Sequence, residues 1–214
     1  MKSWGDLLTE FDALLNDSER KSYAEDLRKN AWQRACENFA ISHTAPFRTA
    51  TASAASYADG TLVTLPQDFL ELPTGGVQAV GDGWLEPITV EPGGSIPNDG
   101  YLMMADGIYL PGGYTNVRLW YYAHYPSVVD AATTFGLPTW AEWAVMNLAM
   151  AYMLYPSMMD QQLLRQYQDK SMAGRPEDNP PRKQALFLMT IYSDLIRTVS
   201  PQNRGMIYTP GTKV

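Results

Sequence analysis

An α+β protein is predicted, a helical bundle with an antiparallel β-sheet or small β-sandwich inserted into it, and three observations predict it. Apolar residues recur three and four apart near both ends of the chain, whereas β-branched and aromatic runs punctuated by Asp-Gly dipeptides fill the middle. Charge follows the same division. Residues 1–43 hold 6 basic and 8 acidic residues, 44–136 hold 2 and 9, and 137–214 hold 8 and 6, so the acid excess lies in the middle zone. Helices at the two ends and strands between them imply that the ends close one bundle around an insertion.

The first zone, 1–43, reads as a helical hairpin. Trp4, Leu7, Leu8, Phe11, Leu14 and Leu15 make one apolar stripe, and Tyr23, Leu27, Ala31, Ala35 and Phe39 make another. Ser3 with Asp6, and Ser22 with Glu25, stand at capping-box spacing, and Asn16, Asp17 and Ser18 lie between the helices. The second zone, 44–136, is the β-rich insertion. Its strand candidates are 61–65, 83–90, 107–110 and 116–122; Asp59-Gly60, Asp82-Gly83, Asp99-Gly100 and Asp106-Gly107 supply hairpin-type turns. Asp106-Gly107 is expected to join 101–104 to 108–110.

The third zone, 137–199, returns to helices. Thr139 and Glu142 form a third capping-box pair, followed by Trp143, Met146, Asn147, Met150, Met153 and Leu154 on a largely buried helix that Pro156 ends or kinks. Ser157 and Asp160 are expected to open another helix, 174–181 a loop, and Arg182 to Val199 the last helix. Residues 200–214 form an extended tail without helical pattern, in which Met206, Ile207 and Tyr208 make an apolar patch suited to docking on a partner or to a disordered end.

With 214 residues, 45% of them hydrophobic, the chain can bury a real core. Its net charge of -7 disfavours an outer face that grips nucleic acid phosphates. Met1-Lys2-Ser3-Trp4-Gly5-Asp6 places an acid where a signal peptide needs apolar residues, and the nearly uncharged run 143–155 is shorter than a bilayer span. A soluble protein of a reducing compartment is expected, with no membrane association.

The sequence offers few groups suited to catalysis or metal binding. One cysteine, Cys36, and two histidines, His43 and His124, are too few for a disulfide or a cysteine-based zinc site. Neither histidine lies near a Gly-x-Ser-x-Gly elbow, and Cys36, beside Ala35 and Phe39, reads as a small buried thiol. Gly75-Gly76 and Gly93-Gly94 lack the Gly-Lys-Ser/Thr and the helix start of a phosphate loop. The Asp-Gly sites do not fit a calcium loop. No catalytic residue, cofactor or metal is expected.

Aromatic residues Trp84, Trp120, Tyr121, Tyr122 and Tyr125 offer raw material for sugar stacking, yet strand alternation turns Tyr121 away from Trp120 and Tyr122. Core or interface packing explains them equally well. Met146, Met150, Met153, Met158 and Met159 suit either a helical core or an adaptable docking surface.

The ordered phrases Leu65-Pro66-Gln67-Asp68-Phe69-Leu70-Glu71-Leu72, Ile108-Tyr109-Leu110-Pro111, Val117-Arg118-Leu119-Trp120-Tyr121-Tyr122 and Leu137-Pro138-Thr139-Trp140-Ala141-Glu142-Trp143 follow a helical hairpin. This set resembles the head-to-tail connector (adaptor, neck) proteins of tailed bacteriophages, over roughly residues 1–199. The resemblance implies a non-enzymatic virion protein, made in the bacterial host cytoplasm and placed at the head–tail junction. It implies a homo-oligomeric ring, usually a dodecamer, bound to the portal protein and to downstream tail or neck proteins. Genomic DNA would pass through the lumen without specific binding, and the C-terminal segment, here Met206, Ile207 and Tyr208, would dock on the portal. Departing from the smallest connectors, which lack a sheet, the chain carries a long Gly- and Pro-rich stretch, 74–100. A tail-tube or tail-completion component, a carbohydrate-binding module of a host-recognition structure, and an enzyme are the alternative readings.

Overall fold

A computed structural model describes residues 2–53, 55–57, 60–81, 83–88, 98, 100–112, 114, 116–168 and 180–199. Among them lie four helices and nine strands, an α+β architecture. Helix α1 (Trp4–Leu15) starts from the capping box that Ser3 and Asp6 predict. The Asp6 amide donates to Ser3 Oγ at 3.3 Å, and the Ser3 amide donates to Asp6 Oδ2 at 2.9 Å. Asn16 closes the helix in the left-handed conformation, φ 50°, which asparagine tolerates.

Helix α2 (Glu25–Ser42) begins differently from the expectation. Ala24 stands at its N-cap with no side-chain bond, so Ser22 and Glu25 form no capping box. The reason lies upstream: Asp17 accepts from the amides of Lys21, Ser22 and Tyr23 at 3.0, 3.4 and 3.0 Å, which holds Ser22 and Tyr23 in a turn before the helix. Arg28 then seals the junction. Fully buried, it contacts the Asp12 carboxylate, donates from Nη2 to Asp17 Oδ2 at 2.9 Å and from Nε to the Tyr23 carbonyl at 2.8 Å. One guanidinium thus ties the end of α1, the linker and the start of α2.

Helix α3 (Thr139–Gln168) is longer than predicted, running without a break through Pro156 and past Ser157 and Asp160. Proline removes a single donor and crowds one carbonyl, and a helix with a buried apolar face can absorb that cost. Thr139 is the first residue of the helix, and Glu142 turns its carboxylate to the Lys2 amide at 3.4 Å, so the third capping-box pair is not used either. Helix α4 (Pro180–Arg197) opens on a proline, whose missing donor costs nothing in a first turn. α1 to α4 cluster into one compact unit with the chain at Thr44 and Tyr125. Inside it Trp4, Phe11, Trp32 and Phe135 form a file of rings with centroids 5.3–6.2 Å apart. Residues 131–134 join the same unit, accepting the Trp4 and Gly5 amides on the Thr133 and Ala131 carbonyls.

The strands form a second unit. They are β1 (Phe47–Ser53), β2 (Ala55–Tyr57), β3 (Gly60–Thr64), β4 (Phe69–Glu71), β5 (Val77–Ala79), β6 (Gly83–Pro87), β7 (Gly100–Met103), β8 (Gly107–Leu110) and β9 (Asn116–Ala123). Their order is β1-β9-β5-β6-β7-β8-β3-β2, with β4 also on β9. β7 and β8 pair antiparallel across Asp106-Gly107, where the Met104 amide reaches the Gly107 carbonyl at 2.8 Å. β6 and β7, however, are parallel, so a purely antiparallel sheet or sandwich is replaced by one mixed sheet. Parallel neighbours need about a dozen connecting residues, which 88–99 supply.

That sheet curls. β1 and β2 occupy opposite ends of the strand path, yet only one residue separates them in the chain. In a flat sheet the eight strands of that path would set its ends ~34 Å apart at ~4.8 Å per strand, a gap that two residue steps of ~3.8 Å each cannot cross. Curvature follows, giving a half-barrel. Its core alternates along β9: Val117, Leu119, Tyr121 and Ala123 face inward with Val63, Val77, Leu85, Ile108 and Leu110. Each such fully buried Leu, Ile or Val is worth about 1.5–3 kcal/mol over exposure.

Candidate functional site

Cys36 and His43 are committed to structure. Cys36 is fully buried on α2, and burial, with the Glu37 charge adding to it, pushes its thiol well above the ordinary range. A thiolate nucleophile is therefore unfavourable there. His43 follows α2. Its Nε2 lies 2.9 Å from the Val199 carbonyl, which can only accept, so Nε2 donates there, and Nδ1 lies 2.7 Å from the Thr44 hydroxyl. Phe39 stacks on the ring at 5.3 Å and Trp140 meets its face edge-on at 5.1 Å. The ring thus joins the exit of α2, the start of α3 and the segment after α4.

A crevice in the helical unit encloses about 190 Å³, open solvent included, between Lys2, Leu7, Trp32, Phe135 and Glu142. Among the described residues no group of three or more His, Cys, Asp or Glu side chains is arranged to hold a metal ion, and no helix is long and apolar enough to cross a membrane. Met146, Met150 and Met153 are buried in α3, which makes them core rather than docking surface.

Two arrangements in the sheet stand out. The first gathers sequence phrases that lie some fifty residues apart. Asp68 Oδ1 accepts from the Tyr121 hydroxyl at 3.0 Å, Oδ2 meets Arg48 Nη1 at 2.5 Å, and the Asp68 carbonyl accepts the His124 amide at 2.8 Å. Phe69 stacks on Tyr121 at 5.9 Å while β4 pairs with β9. Burial, then the Asp68 contact, raises the Tyr121 hydroxyl above its ordinary pKa.

The second is an aromatic and cationic cluster on the opposite face. Gln78 of β5 pairs with Trp84 on one side and Arg118 on the other, so the three share one row. Trp84 and Trp120 bring their ring centroids to 4.5 Å with a 43° tilt, and the Arg118 guanidinium lies 5.6 Å above the Trp120 ring. Tyr121 faces the core, as strand alternation requires. Tyr122 stays on the outer face beside Phe47, centroids 5.5 Å apart.

No sequence motif points to Arg28 or Arg118. Arg28 falls three and four residues before Ala31 and Trp32 on the buried stripe of α2, a spacing that marks it as a buried charge. Arg118 lies two residues before Trp120 on the same strand face. The docking residues Met206, Ile207 and Tyr208 lie outside the described residues. Neither a protein-family profile nor a curated protein matches this chain.

Proposed function

We propose that this chain is a structural virion protein, a ring-forming head-to-tail adaptor that links the portal to the tail and continues the DNA channel. The observation that carries the reading is the Asp68 junction. The Leu-Pro-x-Asp-Phe phrase and the strand with paired tyrosines, quoted for the resemblance, are bonded to one another through Asp68, Phe69 and Tyr121. In this reading the N-terminal hairpin and the C-terminal helices form one bundle, and the sheet is an insertion carried on it.

Charge supports the same role. Nine acidic residues against two basic ones in 44–136 suit a surface along which DNA slides, because an acidic wall repels phosphate whereas a basic wall binds it in a salt-dependent way. Such a role needs no catalytic group, and the engagement of Cys36 and His43 in packing and hydrogen bonds fits it. Met206, Ile207 and Tyr208 are the segment we assign to portal contact.

The test is assembly. Purified chain examined by native mass spectrometry, and imaged after mixing with the portal of its own particle, is expected to show a closed ring or a portal-bound cap. A chain that stays monomeric and ignores the portal overturns the reading. Deleting residues 200–214 is expected to weaken portal attachment; unchanged attachment removes the tail from the account.

A further inference from the structure

We infer that the Trp84–Trp120–Arg118 cluster is one half of a contact between copies of this chain, and that the other half is the β7–β8 hairpin tip of the next copy. The inference rests on the ring reading above and names the surfaces that would build it. At the tip, Met103 and Met104 are 49% and 46% exposed and Asp106 is exposed beside them. Large apolar side chains on a tight turn gain nothing from water, and two of them beside a carboxylate match a patch of two indoles beside a guanidinium. Methionine sulfur packs favourably on aromatic rings, and a guanidinium stacked on an indole keeps its edge free for a carboxylate.

Charge narrows the occupant to a second copy. Of the two basic residues in 44–136, Arg48 is taken by Asp68. Arg118 makes no ion pair among the described residues, and neither does Asp106. Among the described residues the sheet therefore carries an unpaired cation on one patch and an unpaired carboxylate on another.

Register keeps the two halves apart within one molecule. β6 and β7 run parallel with Pro87 opposite Tyr101; Trp84 lies three residues before that row and Met104 three residues after it. The separation along the strands is roughly 20 Å, at about 3.3 Å per residue. A chain cannot satisfy its own patch with its own tip, but a head-to-tail neighbour can. Such a heterologous contact, repeated, closes into a ring when its rotation closes.

Charge exchange tests the contact. Asp106→Arg and Arg118→Asp, each alone, are expected to raise the concentration for half-assembly by about tenfold or more in sedimentation velocity, because like charges then face each other across the interface. The two together are expected to restore assembly. Single variants that assemble like the unaltered chain, or a double variant no better than either single, overturn the contact. A second measurement does not depend on these charges: Gln78→Cys with Met104→Cys is expected to give a ladder of covalent multimers on mild oxidation, with the lone native thiol, Cys36, buried and silent. Monomers alone would refute it. Glycan binding lost in Trp84→Ala while assembly persists assigns the indoles to a sugar and also overturns it. Rings that persist in both single-charge variants remove this contact and leave the ring reading standing, whereas an unaltered chain that neither self-associates nor caps the portal removes both.

Discussion

The Tyr121 hydroxyl donates to Asp68 Oδ1 at 3.0 Å, and this bond links a loop to a core strand through a carboxylate that also holds Arg48. Tyr121→Phe keeps the ring that stacks on Phe69 and removes only the bond. A loss of about 1 kcal/mol is expected, read as a melting temperature lower by about 3 °C. Asp68→Ala removes two side-chain linkages at once, to Tyr121 and to Arg48, and is expected to cost more, which urea titration of both variants checks.

Arg28→Met replaces a buried guanidinium by an apolar side chain of similar length and leaves Asp12 and Asp17 without their shared cation. The expected destabilisation is about 3 kcal/mol. Chemical unfolding followed by circular dichroism measures it, and a change below the error of the method refutes the junction's role.

Acid should weaken the helical unit. The Arg20 hydrogen bond, aided by Arg28, holds Asp12 below its ordinary 3.8. Burial alone would raise Asp17, but the Tyr23 and Ser22 amides and Arg28 outweigh it and lower it. Groups with depressed folded values contribute stability that is complete above their ordinary range and is lost as pH falls through the folded values. Unfolding midpoints are therefore expected to hold from neutral pH to just above about 4 and to drop below it. Arg28→Met should show a shallower drop, because its carboxylates have less depression to lose.

Alkali should act in the opposite sense. Burial comes first among the causes that raise Tyr101, Tyr121, Tyr125 and Tyr192 above 10.0. Their contribution to stability is complete below that value and lost as pH rises past it. Ultraviolet titration of phenolate is expected to show a late fraction among the thirteen tyrosines that merges with the main step once the chain is unfolded in urea. A single ordinary step in the folded protein contradicts this.

Cys36 offers a direct measure of packing in α2. A water-soluble disulfide reagent is expected to label it only through opening of the helical unit, slowly in buffer and at once in urea. Rapid labelling of the native chain would mean that α2 is not seated as described.

Local rules carried the reading of the chain where the partners were local. Ser3 and Asp6 satisfy each other across one turn of α1, and the alternation of β9 separates Tyr121 from Trp120 because strand geometry leaves no choice. Ser22 and Glu25 have the same spacing as Ser3 and Asp6, yet Asp17 reaches the amides of Ser22 and Tyr23 first, and a spacing rule cannot see that competition. The parallel pairing of β6 and β7 was hidden for a related reason: Asp-Gly dipeptides announce hairpins, while a crossover has no dipeptide of its own. The Trp84, Trp120 and Arg118 cluster needs β5 between β6 and β9, which neither strand reveals alone.

β9 touches β1, β4 and β5, and it is the last strand to be made among the described residues. On the ribosome, three earlier strands wait with unclaimed edges until the polypeptide past Ala123 has emerged, so the half-barrel cannot be completed before then. Its folding must be slow, dominated by distant pairings, and abrupt once the final edge arrives. A nascent chain stalled before that point would be the form most exposed to aggregation and to cellular quality control.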